Sequence, residues 1–442
     1  MESVTAIKIA VVGCGYLGAT HAVAMAEMGY DVVGIDIDPD KIESLSAGRA
    51  PFYEPDLDVL LERHSKGRAL RFTTDFGAAA GCEVIFLCVG TPQEWGSNAA
   101  DMRYVFGAAE SLAPHLTAPA LVVGKSTVPV GTAQRVQDRL QSLAPAGAGV
   151  RVAWNPEFLR EGFAVADTLR PDRIVIGISD PADEATLRRV YAPQVESGTP
   201  FLVTDFATAE LVKVAANAFL ATKISFINAM AEVCEVAGAD VTMLADAIGH
   251  DDRIGRKFLG AGIGFGGGCL PKDIRAFMAR AGELGVGQSL AFLREVDEIN
   301  MRRRARVSQI AQELLHGMPL GARVAVLGVA FKPDSDDVRD SPALNIAATL
   351  HLQGAQVRVF DPKAMGNAAK LFPTLTYVPD METALSNADL VLLLTEWHEF
   401  RNLDPVAAGK VVSRRNIVDG RNVLDPAAWR EAGWQYRGIG RQ

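Results

Sequence analysis

Cysteine is scarce in this chain and is not arranged for metal binding. The 442 residues include five cysteines, and no two of them form a Cys-x-x-Cys pair. They are Cys14, Cys82, Cys88, Cys234 and Cys269. An odd and scattered set indicates reduced thiols in a cytosol rather than a disulfide framework, and it predicts no metal site.

The chain also lacks a surplus of positive charge and any long apolar run. It has 44 lysine and arginine residues against 53 aspartate and glutamate residues, which gives a formal net charge of −9. This balance argues against a nucleic-acid partner. Apolar runs such as 390–394 are too short to span a bilayer, and the N-terminus shows no charged leader with a cleavage site. We therefore expect a cytoplasmic protein with no membrane partner.

The remaining composition is that of an ordinary globular chain, with 49% hydrophobic residues. Its length predicts two or three domains. Strand-like and helix-like segments alternate in the first 200 residues and again after residue 319, which predicts parallel sheets covered on both faces. The predicted fold class is α/β, with two Rossmann-like doubly wound parallel-sheet domains joined by a central helical domain. The predicted boundaries are 1–204, 205–318 and 319–442, and order is expected to end near residues 437–442.

A long helix is predicted from Asp205 to Gly238, because an aspartate can cap its start and a glycine can end it. Its middle is apolar on nearly every side, as in a helix buried in a large protein or in a subunit interface. Lys213 and Asn217 interrupt this pattern on one face. A buried lysine needs a partner, which could be an oxyanionic substrate atom. Glu210, three residues away, is the alternative partner.

A glycine-rich turn follows the first predicted strand. Gly13, Gly15 and Gly18 have the spacing that lets a dinucleotide's pyrophosphate approach a helix start. Asp36 closes the next strand, where a carboxylate holds ribose hydroxyls and repels a 2′-phosphate. The motif therefore predicts NAD rather than NADP, and a purely structural turn is the alternative. Lys41 could reach the adenosine side or lie exposed on a helix.

Polar residues follow three further predicted strands. Thr91 and Thr127 end two of them and would direct hydroxyls into the cofactor crevice, although threonine is also a common turn residue. The segment 155–162 is predicted to be a short helix capped by Asn155, which would place Glu157 and Glu161 on one face. Such a carboxylate pair can position water or act as acid and base, or it can be a solvated helix face.

The most informative segment is the run 262–273, with the sequence GIGFGGGCLPKD. Cys269 follows the glycines and precedes Pro271, which suits the first turn of a helix. A helix N-terminus and Lys272 both favour the thiolate form of Cys269, which is the nucleophilic form. Asp273 could act as a base or hold water, or it could complement the helix dipole. The alternative for Cys269 is a small buried hydrophobe.

A charged loop at 331–342 follows the first strand of the last alternating region. Lys332 could contact a nucleotide diphosphate and Arg339 a second phosphate, or both could belong to a charged surface loop. The turn lacks the three-glycine spacing, so this region is predicted to resemble the first fold without its dinucleotide signature. A nicotinamide cofactor together with an activated cysteine indicates an oxidation that passes through a thioester.

Taken in order, these motifs resemble the UDP-glucose/GDP-mannose 6-dehydrogenase family over nearly the whole chain. The segments that carry the resemblance are Gly13-x-Gly15-Tyr16-x-Gly18, Cys88-Val89-Gly90-Thr91-Pro92, Lys125-Ser126-Thr127-Val128-Pro129, Asn155-Pro156-Glu157-Phe158, Lys213-x-x-x-Asn217, Phe265-Gly266-Gly267-x-Cys269-x-Pro271-Lys272-Asp273, Phe331-Lys332-Pro333 and Asp419-Gly420-Arg421. The chain departs from the family at Gly268, where serine is usual, and at Leu270, where an aromatic is common. These departures flank the nucleophile and bear on sugar preference rather than on reaction type.

The resemblance implies NAD on the first domain, a UDP-sugar between the central and last domains, and a homodimer built by the long helix. The cofactor contacts that it implies are Gly13, Gly15, Tyr16, Leu17, Gly18, Asp36, Lys41, Thr91, Thr127, Glu161, Lys272 and Arg339. The substrate contacts that it implies are Glu157, Phe158, Leu159, Arg160, Glu161, Lys213, Asn217, Arg253, Phe258, Leu259, Gly260, Ala261, Gly262, Gly266, Lys332 and Arg421. Arg253 is expected to reach into the partner subunit's site.

The expected reaction is the four-electron oxidation of UDP-glucose at C6 to UDP-glucuronate, with two NAD per catalytic cycle. Cys269 is expected to form a thiohemiacetal and then a thioester. The other expected catalytic residues are Lys213, Asn217, Asp273, Glu157 and Thr127. The alternatives are the same chemistry on GDP-mannose, UDP-N-acetylmannosamine or a TDP-sugar, a two-electron hydroxyacid dehydrogenase, and an NAD-binding regulatory sensor that is not an enzyme.

Overall fold

The computed structural model describes residues 7–67 and 69–441 of the chain. Internal contacts divide the chain into two compact units. The first unit comprises the chain up to Ala216 together with Arg275–Gly285. The second unit comprises Asn217–Ile274 together with the chain from Val286 onward. Each unit contains one β-sheet. The three domain boundaries proposed from the sequence remain predictions.

The first unit is built on an eight-stranded sheet. Its strands are β1 (Lys8–Val12), β2 (Asp31–Ile35), β3 (Leu70–Thr73), β4 (Val84–Leu87), β5 (Ala120–Gly124), β6 (Val150–Trp154), β7 (Ile174–Ile178) and β8 (Phe201–Thr204). The first six strands are parallel and doubly wound, in the order β3-β2-β1-β4-β5-β6. Strand β7 runs antiparallel to β6, and β8 pairs parallel to β7. The expectation of an entirely parallel sheet is therefore wrong for β7 and β8.

Helices cover both faces of this sheet. In β1, Ile9 and Val11 belong to one apolar cluster, whereas Ala10 and Val12 belong to another. Alternate side chains of a strand point to opposite faces, so these two clusters are the two sides of the sheet. The helices are α1 (Tyr16–Glu27), α2 (Pro39–Ser46), α3 (Leu57–Lys66), α4 (Arg103–Leu112), α5 (Thr132–Leu143), α6 (Ala164–Leu169), α7 (Ala182–Val190) and α8 (Ala192–Glu196).

Four helices follow along the chain, and the longest confirms the predicted one. They are α9 (Phe206–Ala237), α10 (Val241–Gly249), α11 (Leu270–Glu283) and α12 (Phe292–Leu314). By length and composition alone, α9 contains a window that could cross a membrane, and 44% of that window is buried inside the protein. Core helices of soluble proteins meet the same criterion, so one such helix is weak evidence for a membrane span.

The second unit contains a six-stranded parallel sheet. Its strands are β9 (Arg323–Leu327), β10 (Gln356–Phe360), β11 (Thr376–Tyr377), β12 (Leu390–Leu393), β13 (Asn416–Asp419) and β14 (Gln435–Gly438), in the order β11-β10-β9-β12-β13-β14. Its helices are α13 (Pro342–Leu352), α14 (Met365–Leu371), α15 (Met381–Leu385), α16 (His398–Arg401), α17 (Pro405–Val411) and α18 (Pro426–Glu431). The strand order repeats that of β1–β6, which confirms two doubly wound domains of one architecture.

The end of the chain is ordered, which corrects the expectation of disorder from residue 437 onward. Strand β14 pairs with β13, and Arg437 forms an ion pair with Glu313 at 3.2 Å. The backbone N–H of Val241 donates to the carbonyl of Gly440 at 2.8 Å. These contacts hold the last strand against the helices of the same unit, whereas Gln442 lies outside the described residues.

Candidate active site

The turn after β1 leaves open space at the start of helix α1. Gly13 has a φ of +90°, and a Cβ there would lie 2.8 Å from Val89. A Cβ on Gly18 would lie 1.7 Å from the Gly13 oxygen. A Cβ on Gly15 would meet no atom within 4 Å. Two glycines therefore allow close packing, and the third leaves room for a pyrophosphate at a helix N-terminus, so these residues fit NAD.

Asp36 follows β2 beside this turn and is 7% exposed. Its carboxylate accepts a hydrogen bond from the backbone N–H of Cys14 at 2.7 Å and another from Lys41 Nζ at 2.9 Å. A carboxylate held at this point is suited to ribose hydroxyls. Lys41 is bound to Asp36 rather than extended into solvent, which favours its assignment to the nucleotide site.

Glu54 is a buried residue that sequence reasoning missed. Its carboxylate accepts hydrogen bonds from the Tyr16 hydroxyl and from the backbone N–H groups of Gly162 and Ala164, the latter two at 2.7 Å. Burial raises the pKa of Glu54, and the three donors act in the opposite direction. Glu54 therefore connects the glycine turn to the segment that carries Glu161. Nothing in the local sequence distinguishes this glutamate from a surface one.

The two predicted threonines lie at the carboxyl ends of β4 and β5. The Thr91 hydroxyl donates to the Thr127 carbonyl at 2.9 Å, and the neighbouring Ser126 hydroxyl donates to the Val89 carbonyl at 2.6 Å. These bonds tie the two strand-end loops together. Ligands of doubly wound sheets bind at such strand ends, so the position suits the predicted cofactor contacts.

The segment after β6 differs from its prediction. Residues 155–160 form no helix, and α6 begins only later. The prediction that Asn155 caps a helix, with Glu157 and Glu161 on one helix face, is therefore wrong. The Asn155 side chain is buried instead, where it accepts from Lys125 at 2.9 Å and donates to the Val175 carbonyl at 2.8 Å. These bonds take the place of a helix cap.

Glu157 forms an ion pair with Lys213 at 3.1 Å, and the two side chains are 13% and 6% exposed. Glu210, the alternative partner of this lysine, accepts from the backbone N–H groups of Gly131 and Ala133 at 2.7 Å, at the start of α5. The structure thus brings together two residues that the sequence had singled out separately. Fixed charges buried to this extent can stabilise charge that develops on a substrate oxygen.

The residues that follow Glu157 have unequal environments. The Phe158 ring packs against an arginine guanidinium 3.9 Å away. The backbone N–H of Leu159 donates to the Glu157 carboxylate at 2.7 Å. Arg160 is exposed and forms an ion pair with Asp167 at 2.7 Å. The predicted substrate contacts in this segment therefore offer one aromatic face, one backbone turn and one surface cation.

Lys125 is a second buried residue whose role the sequence did not reveal. Its ammonium donates to Asn155 Oδ1 at 2.9 Å and to the Tyr191 hydroxyl at 3.5 Å. Within residues 7–67 and 69–441, no carboxylate lies within ion-pair distance of it. Burial lowers the pKa of Lys125 to about 8. A lysine with neutral partners beside Glu157 is costly to bury, which indicates a function beyond packing.

The loop before Cys269 is held by side chains of two helices. The backbone N–H of Gly262 donates to Asn228 Oδ1 on α9 at 2.9 Å. Asn300 on α12 binds the Phe265 backbone twice, accepting from its N–H at 2.7 Å and donating to its carbonyl at 2.9 Å. Both asparagines are 0% exposed. The glycine-rich loop is therefore fixed by buried amides rather than left flexible.

Cys269 differs from the other four cysteines because it is exposed and they are buried. Helix α11 begins at Leu270, directly after it, and the N–H of Asp273 donates to the Cys269 carbonyl at 3.0 Å. The predicted helix start is therefore confirmed. Burial raises the pKa of Cys88 to about 12 and also raises the pKa of Cys14. Those two thiols stay protonated, whereas Cys269 has the helix N-terminus that favours a thiolate.

Asp273 lies in the first turn of α11 and is 2% exposed. Its carboxylate accepts from Asn217 Nδ2 at 2.6 Å and forms an ion pair with Lys272 at 2.5 Å. Three residues that the sequence predicted as site residues therefore form one hydrogen-bonded group. This group offers a carboxylate with its orientation fixed from two sides.

The predicted substrate loop 258–262 alternates between exposed and buried residues. Phe258 has a φ of +67° and is 41% exposed, whereas Leu259 is 1% exposed. A Cβ on Gly262 would lie 2.7 Å from a backbone oxygen, so glycine is required there. Arg253 is exposed and forms an ion pair with Asp251 at 2.6 Å. Its expected reach into a partner subunit remains a prediction.

Arg421 is bound by the protein itself. Its guanidinium donates to the carbonyls of Leu394 at 2.8 Å, Gly264 at 3.2 Å and Phe331 at 3.0 Å. It also forms an ion pair with Glu396 at 3.2 Å. These contacts connect the cysteine loop to the ends of β9 and β12, so the predicted substrate arginine also has a structural role.

The loop after β9 carries the two remaining predicted cations. The Lys332 ammonium lies 5.4 Å from the centre of the Phe331 ring. Arg339 forms an ion pair with Asp337 at 2.7 Å. A Cβ on Gly268 would lie 2.3 Å from the Arg339 guanidinium carbon. A side chain at position 268 would therefore require the Arg339 guanidinium to shift.

The predicted site residues divide between the two units. The first unit holds Gly13, Gly15, Tyr16, Leu17, Gly18, Asp36, Lys41, Thr91, Thr127, Glu157, Phe158, Leu159, Arg160, Glu161 and Lys213. The second unit holds Asn217, Arg253, Phe258, Leu259, Gly260, Ala261, Gly262, Gly266, Cys269, Lys272, Asp273, Lys332, Arg339 and Arg421. In the described part of the chain, no three His, Cys, Asp or Glu side chains are placed to hold a metal ion.

Comparison with known families matches three successive parts of the chain. The NAD binding domain of the UDP-glucose/GDP-mannose dehydrogenase family matches residues 7–195, its central domain matches residues 207–302, and its UDP binding domain matches residues 325–426. The chain belongs to this family. The expectations of a dehydrogenase, of NAD as its cofactor and of a UDP-sugar as its class of substrate are thereby confirmed.

Individual relatives of this family are similar over the full length. The UDP-glucose 6-dehydrogenase of Rhizobium meliloti is 41% identical over 438 residues, which are 98% of this chain and 100% of that protein. A solved UDP-glucose dehydrogenase from Pyrobaculum islandicum has a TM-score of 0.91 at 39% identity, covering 100% of this chain and 99% of the other. A solved UDP-D-ManNAc dehydrogenase from Pyrococcus horikoshii has a TM-score of 0.86 at 29% identity, covering 98% and 99%.

Proposed function

We propose that this protein oxidises UDP-glucose at C6 to UDP-glucuronate, with two NAD consumed per sugar. The observation that carries the proposal is Cys269, an exposed thiol that directly precedes helix α11 and follows a loop fixed by buried amides. The similarity to UDP-glucose 6-dehydrogenases supports the choice of sugar. A two-electron oxidation of a hydroxyl would not need this nucleophile.

NAD supplies a hydride acceptor for each two-electron step. In this chain, the Gly15 turn and Asp36 would hold its pyrophosphate and its ribose, with Lys41 and Tyr16 beside them. Thr91, at a neighbouring strand end, would contact its nicotinamide side. These side chains bind and orient the cofactor, and the open space at Gly15 is what admits it.

Cys269 performs the covalent chemistry. Loss of a hydride and a proton converts the C6 alcohol to an aldehyde, and the thiolate adds to that carbonyl to form a thiohemiacetal. Loss of a second hydride gives a thioester, and water then cleaves the C–S bond to release the carboxylate and regenerate the thiolate. Covalent capture explains how one enzyme can carry out both oxidations without releasing the aldehyde.

Charged and amide groups assist these steps in the proposed mechanism. Lys213 and Asn217 donate to the oxyanions that develop at C6, because fixed donors stabilise developing charge. Asp273, whose carboxylate is oriented by Lys272 and Asn217, accepts the hydroxyl proton. Glu157 positions water for hydrolysis, with Thr127 as the second candidate for that role.

The exposed face of α9 supports a homodimer. Phe219, Phe226 and Val233 are 67%, 48% and 57% exposed. Their seven-residue spacing places them on one face of the helix. An apolar stripe of this kind is stabilised when a second copy covers it. Analytical ultracentrifugation that finds a monomer at micromolar concentration would contradict this assignment. We place the enzyme in the cytoplasm, where reduced cysteines persist.

The test of the reaction is Cys269→Ser, with Cys82→Ser as a matched control at a buried cysteine. The Cys269 variant should bind NAD and UDP-glucose with wild-type affinity, yet form no UDP-glucuronate. The control should keep two NADH per sugar. Wild-type stoichiometry of one NADH per sugar would refute the two-step scheme. Assays with GDP-mannose and UDP-N-acetylmannosamine then test the choice of sugar, and faster turnover of either would replace UDP-glucose.

A further inference from the structure

The Phe265 backbone is bound as if by a neighbouring β-strand, although the partner is a side chain. Asn300 accepts from the Phe265 N–H at 2.7 Å and donates to the Phe265 carbonyl at 2.9 Å. Asn300 is 0% exposed and lies near the middle of α12. A buried primary amide that satisfies both groups of one residue fixes the position and the rotation of that backbone segment.

The residues around this amide are shaped to accept it. Gly264 has a φ of +96°, and a Cβ there would lie 2.3 Å from Asn300 Oδ1. One helical turn after Asn300, the buried Arg304 forms an ion pair with Asp340 at 2.8 Å. A Cβ on Gly266 would lie 2.4 Å from the Asp340 carbonyl oxygen. One face of α12 therefore holds the loop, and the glycines let the loop approach it.

Rigidity of this loop matters because of its position before the nucleophile. Three residues lie between Phe265 and Cys269, and the N–H of one of them, Gly267, donates to the Arg339 carbonyl at 2.9 Å. The sulfur must lie within bonding distance of a carbonyl carbon when the aldehyde forms, and a misplacement of about 1 Å can lower a rate about 100-fold.

We infer that Asn300 is the positioning residue for Cys269, and that its amide sets how quickly the sulfur captures the aldehyde. The inference rests on the proposed function, since capture by sulfur is part of that scheme. Asn300 does not touch the substrate in this assignment. It acts through the backbone of the loop.

The test uses Asn300→Asp in the full-length enzyme. Aspartate has the same shape and keeps an acceptor for the Phe265 N–H, but it loses the donor to the Phe265 carbonyl. The matched control is Asn345→Asp, which makes the same chemical change at an exposed position of helix α13. Asn300→Leu removes both bonds, and if it fails to fold, the aspartate variant decides alone.

Three measurements are expected to change. Hydrogen exchange should increase in residues 262–268 and stay at wild-type values elsewhere. The kcat should fall by about 10- to 100-fold with KM within about threefold of wild type. In the presence of a hydrazine, NADH formed per sugar consumed should fall from two toward one, because uncaptured aldehyde leaves as the hydrazone.

Three outcomes would overturn or redirect the inference. Wild-type exchange and wild-type kcat in Asn300→Asp would overturn it. A lower kcat with two NADH per sugar and increased exchange throughout the unit would show general destabilisation and would also overturn it. One NADH per sugar in the wild type would instead reject the proposed two-step scheme. The hydrogen exchange of residues 262–268 and the kcat of Asn300→Asp would then decide the role of Asn300.

Discussion

The turns after β1 and β9, the first strand of each sheet along the chain, have the same backbone geometry but different side chains around them. Gly13 after β1 and Gly328 after β9 have φ values of +90° and +92°. The N–H of each glycine donates, at 2.8 Å, to the carbonyl of the last residue of the adjacent strand. That residue is Ile35 in the first sheet and Phe360 in the second. The strand order is also shared. Backbone geometry alone therefore does not distinguish a dinucleotide site from its relative.

The residue two positions later separates the two turns. Gly15 opens into free space, whereas its counterpart Ala330 is 0% exposed. The Thr395 hydroxyl donates to the Ala330 carbonyl at 2.6 Å. In the second sheet the protein itself fills the place that a pyrophosphate would take in the first.

The acidic residues at the ends of β2 and β10 differ in the same way. Asp36 is 7% exposed and faces Lys41. Asp361 is 0% exposed, and its carboxylate accepts five hydrogen bonds. The donors are the backbone N–H groups of Val329, Ala330, Lys363 and Ala364 and the indole N–H of Trp397. The first aspartate is available to a ligand and the second is part of the core.

The largest expected effect is a loss of NAD affinity when a side chain fills the turn after β1. Gly15→Val places a side chain where no atom lies within 4 Å, so the fold should be preserved. The same side chain occupies the pyrophosphate space, and NAD affinity should fall by at least about 1,000-fold, or about 4 kcal/mol. Isothermal titration calorimetry with NAD measures the loss, and thermal unfolding checks the fold.

The matched change in the second turn is Ala330→Gly. It should leave NAD affinity at the wild-type value, because that turn is closed by Thr395 and the buried Asp361. An NAD affinity that changes tenfold in this variant would mean that the second turn binds the cofactor, and the comparison would fail.

The next largest effect is expected on stability. Asp361→Asn exchanges an acceptor oxygen for an NH2 group that faces buried N–H donors, which should lower the free energy of unfolding by about 3 kcal/mol. Asp36→Asn should cost less than about 1 kcal/mol, because that carboxylate is nearer to solvent. Denaturant unfolding followed by tryptophan fluorescence measures both. Equal losses in the two variants would show that Asp361 is no more structural than Asp36.

Much of the fold could be predicted from local sequence, because the pattern of apolar residues along each strand or helix reflects which of its side chains are buried. The apolar runs of β1, β4, β5 and β9 are buried on both faces, and each was predicted as the strand that precedes a motif turn. The edge strands β3, β8, β11 and β14 were missed, because their side chains are partly exposed and their pattern is weak. The long helix α9 was predicted because capping signals bracket it.

The site was harder to predict where a residue acts over a long distance. Glu54 binds Gly162, which is 108 positions away, and Asn300 binds Phe265, which is 35 positions away. Neither contact has a local signal. Asn155 was assigned to a helix cap because Asn-Pro favours one, but burial beside Lys125 determines its conformation instead. The motif glycines were more informative, since their spacing reports a backbone requirement.

The smallest predicted effect concerns pH and compares equivalent strand ends. Lys125 follows β5 and Asp419 ends the corresponding strand β13, and both are buried. Burial lowers the pKa of Lys125 from 10.5 to about 8, so between these values the unfolded chain binds more protons than the folded one. The free energy of unfolding should therefore rise with pH, by about 1.4 kcal/mol from pH 7 to 9.

Asp419 gives the opposite sign. Burial raises the pKa of Asp419, so above its ordinary value of 3.8 the folded chain binds the additional proton and stability falls as pH rises. The free energy of unfolding of the wild type minus that of Lys125→Met should rise between pH 7 and 9. The same difference taken with Asp419→Asn should fall with rising pH in the acid range. Lys66→Met, at an exposed lysine, is the control and should give a flat difference. If the difference for Lys125→Met also stays constant with pH, the Lys125 ammonium is solvated. The end of β5 would then be as accessible to solvent as the neighbouring Gly15 turn.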